Sequence, residues 1–288
     1  MNKIINKFLR ILYRKNTRKY IELQFQNMMG YKPDLDNPKT FNEKINWIKL
    51  NYYNELYEKC ADKIEVRSYV TEKGLSNILT KLYGTFDNVE EIDFEKLPNK
   101  FVLKTTHSCG GVVVVKDKNT IDKNEIYKIL NKSLKTNLYN NGREWQYKNL
   151  KPRILAEELI ETNNKELTDY KFFCFNGKVE YIYIAYGSES EKDYCIDFYD
   201  KNWNYINVKK KGHKNYGPIE KPKGLDEMIK ISEILSNDFA HVRVDLYCEN
   251  NKIYFGELTF TTGSGYSAFI PNEFDYELGS KFDINNLK

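Results

Sequence analysis

The stretch HVRVDLYCENNKIYFGELTFTTGSG, residues 241–265, sets two carboxylates, Asp245 and Glu257, on two short strands joined by a turn. Arg243 precedes the first acid, and a run of threonine and glycine follows the second. Carboxylate oxygens are hard donors, so two of them on one face can hold Mg²⁺, an ion that leaves part of its shell to substrate phosphates. An arginine beside them can meet negative charge that develops during a reaction. Whether the acids share a face depends on register, because side chains alternate along a strand. A two-residue loop, Asn250–Asn251, would pair 249 with 252 and put the acids on opposite sides. A three-residue loop would put them together. Convergence of Arg243, Asp245, Glu257 and Thr259 therefore requires an odd-numbered loop or a bulge of equal effect; Asn tolerates the left-handed backbone such turns use. The competing reading is a surface hairpin stitched by a salt bridge from Arg243, which would carry little energy.

A second candidate lies earlier, in VLKTTHSCGGVVVV, residues 102–115. Lys104 ends one strand, hydroxyls, a histidine and two glycines form a turn, and a valine strand returns. Backbone N–H groups in such a turn can wrap a phosphate, and Lys104 would add a point charge. The run is not a P-loop. His107 has no Asp or Ser partner nearby in sequence, so it reads as a turn residue or phosphate-loop donor rather than as a base.

The elements that must carry these groups can be read from spacing. Thr40 with Glu43 is a capping box that opens a helix. A helix is expected over about 56–73 with Gly74 as its stop, others over 123–140 and 224–239, and a strand over 152–161. Residues 169–186 read as a hairpin turned at Asn176–Gly177, and 195–205 as a further strand pair. Helices, then a strand-turn-strand-helix unit, then an antiparallel meander make an α+β fold rather than a doubly wound one.

Composition narrows the class. The 288 residues have 45 Lys+Arg against 41 Asp+Glu, a net charge of +4 that does not argue for a nucleic-acid binder. Five scattered cysteines with no C-x-x-C spacing suggest neither a zinc site nor a disulfide framework, and three histidines argue against a histidine-rich metal site. A cytoplasmic location is expected: no apolar run approaches a membrane span, and the N-terminus lacks the apolar core and cleavage site of a secretory signal. Residues 1–20 nevertheless form a basic amphipathic pattern. It suits a helix packed on its own domain, or one that touches an anionic membrane surface peripherally at its inner face.

Taken together, Lys104 with its loop, AEELIE, DYKFF and the Arg/Asp/Glu hairpin stand in an order that resembles the ATP-grasp superfamily over about residues 60–271. NPKTFNEKINWIKL, FVLKTTHSCGG, GREWQYKNLKPRILAEELIE, DYKFFCFNGKVEYI, VRVDLY and IYFGELTFTTGSG resemble its TupA-like subgroup along nearly the whole chain. The resemblance implies two α+β lobes with antiparallel sheets clamping ATP, preceded by N-terminal helices. The implied segments are a basic helical stretch 1–35, a helical subdomain 36–98, a lobe with a phosphate lid 99–150, and a lobe with the metal site 151–288.

It also implies roles. Lys63, Lys104 and Lys171 would lie near the phosphates under a lid at 105–111 that includes His107, Ser108, Gly110 and Gly111. Glu157 opens the hinge strand, Glu158 and Ile160 would read adenine through their backbone, and Asp169 would hold the ribose. Asp245 and Glu257 would bind Mg²⁺. Thr259 stands where the family usually has Asn, a weaker ligand. Arg243 matches an arginine near an acyl-phosphate, and the catalytic groups would be Arg243, Lys104 and Lys171. The implied reaction is ATP-dependent carboxylate–amine ligation on a uronic acid, free or polymeric, in bacterial capsule or cell-surface polysaccharide synthesis, with no nucleic-acid partner. Competing readings are a glycosyltransferase using a sugar nucleotide and a non-catalytic scaffold at membrane polysaccharide machinery. In GREWQYKNLKPR, Trp145 and Tyr147 can stack on a sugar while Arg143, Lys148 and Arg153 hold its carboxylate, or the aromatics can be core.

Overall fold

A computed structural model describes residues 9–162, 167–187 and 194–287. It divides into two compact units. One comprises Asn141–Glu144 with the described parts of Met1–Tyr53 and Asn164–Lys288; the other comprises Asn54–Asn140 and the described part of Trp145–Asn163.

The smaller unit is built on a four-stranded antiparallel sheet in the order β1 (Leu82–Phe86), β4 (Ile154–Glu157), β2 (Phe101–Thr105), β3 (Val112–Val115). Alternation puts Phe101 and Leu103 on one face, where they meet Val115, Ile154 and Ala156 and the Ile126 and Leu130 stripe of helix α5 (Lys123–Leu134). Three sequence expectations change here. The helix expected over 56–73 is two, α3 (Glu55–Ala61) and α4 (Val66–Glu72). The break is at Asp62, whose Oδ1 accepts from the N–H of Ile64 (2.8 Å) and Glu65 (3.1 Å), so its side chain offers the backbone an alternative to a continuous helix. The strand expected over 152–161 runs only over Ile154–Glu157, where β1 and β2 supply partners. The helix expected over 123–140 ends at Leu134, and a short turn, α6 (Tyr139–Gly142), follows.

The larger unit carries a six-stranded antiparallel sheet in the order β11 (Lys252–Thr259), β10 (His241–Glu249), β5 (Asp169–Phe175), β6 (Lys178–Tyr186), β7 (Cys195–Asp200), β8 (Tyr205–Ile206). The β5–β6 hairpin turns at Asn176–Gly177, both with positive φ (49° and 76°). One sheet face takes α7 (Leu225–Ser236) across β10, β5 and β6. The other face is half apolar. There Phe173, Phe175 and Tyr181 pack on Phe41, Ile45 and Ile48 of α2 (Phe41–Asn51) and on Phe274 and Leu278 of α8 (Glu273–Lys281). The Thr40–Glu43 capping box is complete at the start of α2. Helix α1 (Thr17–Met29) sets Tyr20 and Ile21 with Leu35, and Leu9 and Tyr13 pack on them. Ile11 and Leu12 instead stand 67% and 58% exposed. Ile4, Ile5 and Phe8 of the same pattern lie outside the described residues. No helix among the described residues is long and apolar enough to cross a membrane.

Candidate active site

The polar half of the second sheet face begins with the register of β10 and β11. The loop has two residues, Asn250 and Asn251 at φ 53° and 60°, with Glu249 opposite Lys252. That pairing alone would separate the acids. A bulge at Gly256 restores them: Leu246 faces Phe255, the next pair is Asp245 with Glu257, and then Arg243 faces Thr259. A Cβ on Gly256 would lie 2.9 Å from the Asp245 carbonyl oxygen, so only glycine fits the bulge without a shift. Of the two devices the sequence demands, the chain uses the bulge.

On the neighbouring strand Lys171 lies opposite Asp245, and Asp169 opposite Tyr247. The face therefore gathers Asp169, Lys171, Arg243, Asp245, Glu257 and Thr259. Arg243 Nε and Nη2 each donate to one Asp245 oxygen at 2.6 Å. Nη2 also reaches Glu257 Oε1 (3.2 Å) and Thr259 Oγ1 (2.9 Å), and Thr259 donates to Glu257 Oε1 at 3.1 Å. Lys171 Nζ donates to Asp245 Oδ2 at 2.5 Å and also pairs with Asp169. Both cations lie over the Tyr183 ring, at 5.7 and 5.9 Å from its centre; the sequence reading had missed this tyrosine. Burial works against Lys171 and Arg243, but Asp245 outweighs it and holds both well above their ordinary pKa. Burial and the Asp245 charge push Asp169 up to about 6 against the pull of Lys171. Its Oδ1 is buried with no hydrogen-bond partner among the described residues, a spare acceptor.

Beyond β11 the chain enters three successive left-handed residues, Gly263, Ser264 and Gly265 (φ 56°, 53° and 65°). Helix α2 holds this turn through Asn42, Asn46 and Lys49, spaced i, i+4, i+7 on one face. Asn42 exchanges hydrogen bonds with the backbone of Ser267 (2.8 and 2.9 Å), Asn46 donates to Gly265 O (2.8 Å), and Lys49 to Ser264 O (2.6 Å). Burial lowers Lys49 to about 8, with Glu144 opposing. Glu144 in turn accepts from Thr261. In the sequence α2 is marked by its cap, and this polar stripe only by the i, i+4, i+7 spacing of Asn42, Asn46 and Lys49.

In the smaller unit Lys104 Nζ meets Glu157 Oε1 at 2.6 Å, and Thr80 donates to Glu157 Oε2 at 2.5 Å. Burial raises Glu157, but Lys104 and these hydrogen bonds bring it below its ordinary pKa. Lys63 stands at the Asp62 break. Its N–H donates to Thr106 O and its Nζ to Ser108 O (3.1 and 2.8 Å). Thr105, Ser108 and Ser133 hydroxyls form a buried triangle at 2.7–3.0 Å. Gly110 and Gly111 take φ 93° and 61°, and a Cβ on Gly111 would strike Ser133 Oγ at 2.3 Å. His107 Nε2 lies 3.0 Å from Thr136 O, so that nitrogen carries the proton, and the buried Nδ1, with no hydrogen-bond partner among the described residues, is an acceptor. Burial lowers the pKa of His107, so donation to a phosphate would require it to gain a proton. The Glu158 N–H, one of the backbone groups expected to meet adenine, donates to Lys81 O at 2.9 Å. Trp145 stacks on buried Tyr57 at 5.7 Å in this unit, whereas Arg143 lies over Tyr20 at 4.6 Å in the other.

Among the described residues no three of His, Cys, Asp and Glu gather as a metal cluster. Two carboxylates on adjacent strands with a hydroxyl beside them are the hard oxygen donors a divalent ion takes, though Arg243 and Lys171 engage both Asp245 oxygens and an ion there would share them. Asp245, Glu257 and Thr259 would hold it.

A search of curated proteins finds no match. Among solved structures, the D-alanine–D-alanine ligase from Bacillus anthracis complexed with ATP is 18% identical, with 70% of this chain and 55% of that one covered and a TM-score of 0.43. Phosphoribosylamine–glycine ligase from Thermotoga maritima is 13% identical, with 71% and 48% covered and a TM-score of 0.39. The ATP-grasp ligase PsnB, complexed with a phosphomimetic variant of its minimal precursor, Mg and ADP, is 10% identical, with 94% and 73% covered and a TM-score of 0.44. The chain spans little more than half the length of the first of these. Its own sequence matches the family described as TupA-like ATPgrasp over residues 43–283, a span that takes in the strands of both sheets and each candidate site residue. With that match and its antiparallel α+β architecture, the chain belongs to the TupA-like ATP-grasp family.

Proposed function

We propose that the protein is an ATP-dependent carboxylate–amine ligase that acts on a uronic acid in bacterial capsule or cell-surface polysaccharide synthesis. The observation that carries this reading is the pairing of Asp245 with Glu257 across β10 and β11, on one face with Lys171 and Arg243. Mg²⁺ held by Asp245, Glu257 and Thr259 would neutralise phosphate charge. A substrate carboxylate oxygen attacks the γ-phosphorus of ATP and ADP leaves. An amine then attacks the acyl carbonyl of the resulting acyl-phosphate, and phosphate departs as the nitrogen loses a proton. Arg243 and Lys171 stabilise the charge on the transferring group, Lys63 and Lys104 position phosphates, and Asp169 accepts from a ribose hydroxyl. Catalysis is then mostly positioning, consistent with a site rich in fixed cations.

The test is ADP release on mixing protein, ATP and Mg²⁺ with galacturonate or UDP-glucuronate and an amine such as glutamate or ammonium. Release that needs both uronate and amine supports the reading. Folded protein that does not bind ATP at millimolar concentration ends it, and a protein that binds UDP-sugars but not ATP would turn the reading toward glycosyl transfer. The exposed Ile11 and Leu12 beside Arg14 and Lys15 support peripheral contact with an anionic bilayer. Loss of vesicle co-sedimentation in an Ile11→Ser/Leu12→Ser variant is the expected sign of that contact.

A further inference from the structure

Residues 207–223, NVKKKGHKNYGPIEKPK, carry six lysines against one acid, Glu220. The segment alone is more positive than the whole chain, whose net charge is +4. It follows β8, forms the two-residue β9 (Lys209–Lys210) against β12 (Phe269–Ile270), and runs on to α7.

The segment is held with unusual expense. Asp197 of β7 is wholly buried, and its carboxylate accepts from the N–H groups of Tyr216 (3.0 Å) and Gly217 (3.2 Å) and from Asn215 Nδ2 (3.1 Å). Asn215 Nδ2 also donates to Ile196 O and Val208 O (3.1 and 3.0 Å). Burying a carboxylate costs several kcal/mol unless its lone pairs are met, and here they are met mainly by three consecutive residues of a surface loop. What that anchor presents is Tyr216, 70% exposed. Its ring lies on Tyr186 with centres 5.3 Å apart, and Tyr186 Oη is buried with no hydrogen-bond partner among the described residues. The far side of the segment is fixed too: Trp203, stacked on Tyr199 at 4.3 Å, donates from Nε1 to Ile219 O.

Two of the lysines adjoin the turn that carries the ring. Lys214 is two residues before Tyr216, and the Asn215–Val208 hydrogen bond brings Lys209 next to the same turn. Lys209, Lys211 and Lys214 are exposed and have no acidic partner among the described residues, whereas Lys221 pairs with Asp226 at 2.8 Å. Tyr186 is one residue beyond Ala185, which pairs with Asp169. Tyr186 and Asp197 therefore belong to the reverse face from Asp245, at the end of the sheet where Asp169 lies, whereas Val208 and β12, the partner of Lys209 and Lys210, pack on the apolar cluster of the Asp245 face.

We propose that this ledge binds an anionic polysaccharide, with a sugar ring on Tyr216 and its carboxylates against Lys209, Lys211 and Lys214. A tyrosine face offers flat apolar area with a polar rim, which suits the C–H face of a pyranose. Lysines are point charges that tolerate variable spacing, as repeated carboxylates along a polymer require. Single-stranded nucleic acid instead favours successive stacking rings and arginine, and the segment has one tyrosine and no arginine. The choice of a polyuronate among polyanions rests on the ligase reading; the binding of a polyanion here does not.

The test is native-gel affinity electrophoresis with polygalacturonate, neutral dextran or single-stranded DNA in the gel. Polygalacturonate, but not dextran, is expected to retard the wild-type protein. Tyr216→Ala should weaken the apparent affinity about fivefold or more. Lys209→Gln/Lys211→Gln/Lys214→Gln should abolish retardation, with thermal unfolding and nucleotide-binding affinity unchanged in both variants. No retardation by polygalacturonate, an unaltered Tyr216→Ala affinity, or tighter retention by DNA would overturn the proposal. Retention without any ADP release leaves the ledge standing and removes the ligase; ADP release without retention does the reverse.

Discussion

Asp245 and Glu257 face each other across two strands, yet their surroundings ask different things of them. The Asp245 side chain is 2% exposed and pairs with both Arg243 and Lys171; that of Glu257 is 40% exposed. Removing the first charge leaves Lys171 only Asp169 and Arg243 only Glu257 as counter-charges, so Asp245→Asn should cost about 3 kcal/mol in urea unfolding. Glu257→Gln should cost less than about 1 kcal/mol and lower the rate of ADP release about 100-fold. His241 sets a pH dependence of folding. It is enclosed by Phe41, Phe173, Phe175 and Phe282, and its Nδ1 lies 2.9 Å from Cys174 O. Burial lowers its pKa to about 3, so the unfolded chain binds the extra proton between that value and about 6.5. The stability it contributes is complete above the unfolded pKa and falls by about 2 kcal/mol by pH 5. Asp169 and Asp275, both raised to about 6, chiefly by burial, act in the opposite sense over the acid range. Urea titrations of wild type and His241→Phe from pH 7.5 to 5, compared as a difference, isolate the histidine; parallel curves would refute its role.

At the scale of elements, the bulge at Gly256 decides whether a hairpin with a two-residue loop becomes a site. The Gly256→Ala methyl group would meet the Asp245 carbonyl at 2.9 Å and Tyr247 Cε2 at 3.2 Å. The bulge must then open, with an expected loss of about 1–3 kcal/mol in thermal unfolding and a larger proportional loss of ADP release than stability alone explains. Equal activity at equal folded fraction would show that the register survives without glycine. The hairpin, its turn residues and the alternation of Arg243 with Asp245 were legible in the sequence because each is a matter of local spacing. The bulge was legible only as one of two solutions, since periodicity gives parity and not the place where parity is repaired. The single helix expected over 56–73 failed for a related reason: its apolar spacing runs through Asp62, while the side chain of Asp62 captures the backbone of 64 and 65.

For the whole molecule, each of the two units has its own sheet, and the candidate site residues are divided between them: Lys63, Lys104 and Glu157–Ile160 in one, Asp169, Lys171, Asp245 and Glu257 in the other. A ligand that binds only the folded protein stabilises it by mass action. MgATP at 100 times its Kd is therefore expected to add about 2.7 kcal/mol, visible as a rise of several degrees in Tm. Excess EDTA should remove most of the rise, and Glu257→Gln should remove the Mg²⁺-dependent part while leaving any effect of ATP alone. A Tm indifferent to MgATP would argue against the nucleotide site itself.

The sequence by itself determined the antiparallel α+β character, the turns at Asn176–Gly177 and Asn250–Asn251, the capped start of α2, and the ordered residues by which the family is recognised. These depend on backbone preferences and short spacings that a chain carries wherever it folds. Tertiary structure alone decided that Asp245 is buried between Arg243 and Lys171, that Asn42, Asn46 and Lys49 clamp a left-handed turn more than two hundred residues away, and that Asp197 props Tyr216 outward. In each of these, two segments distant in sequence share a hydrogen bond or a charge. The free energy of that contact exists only after the sheets have closed around it.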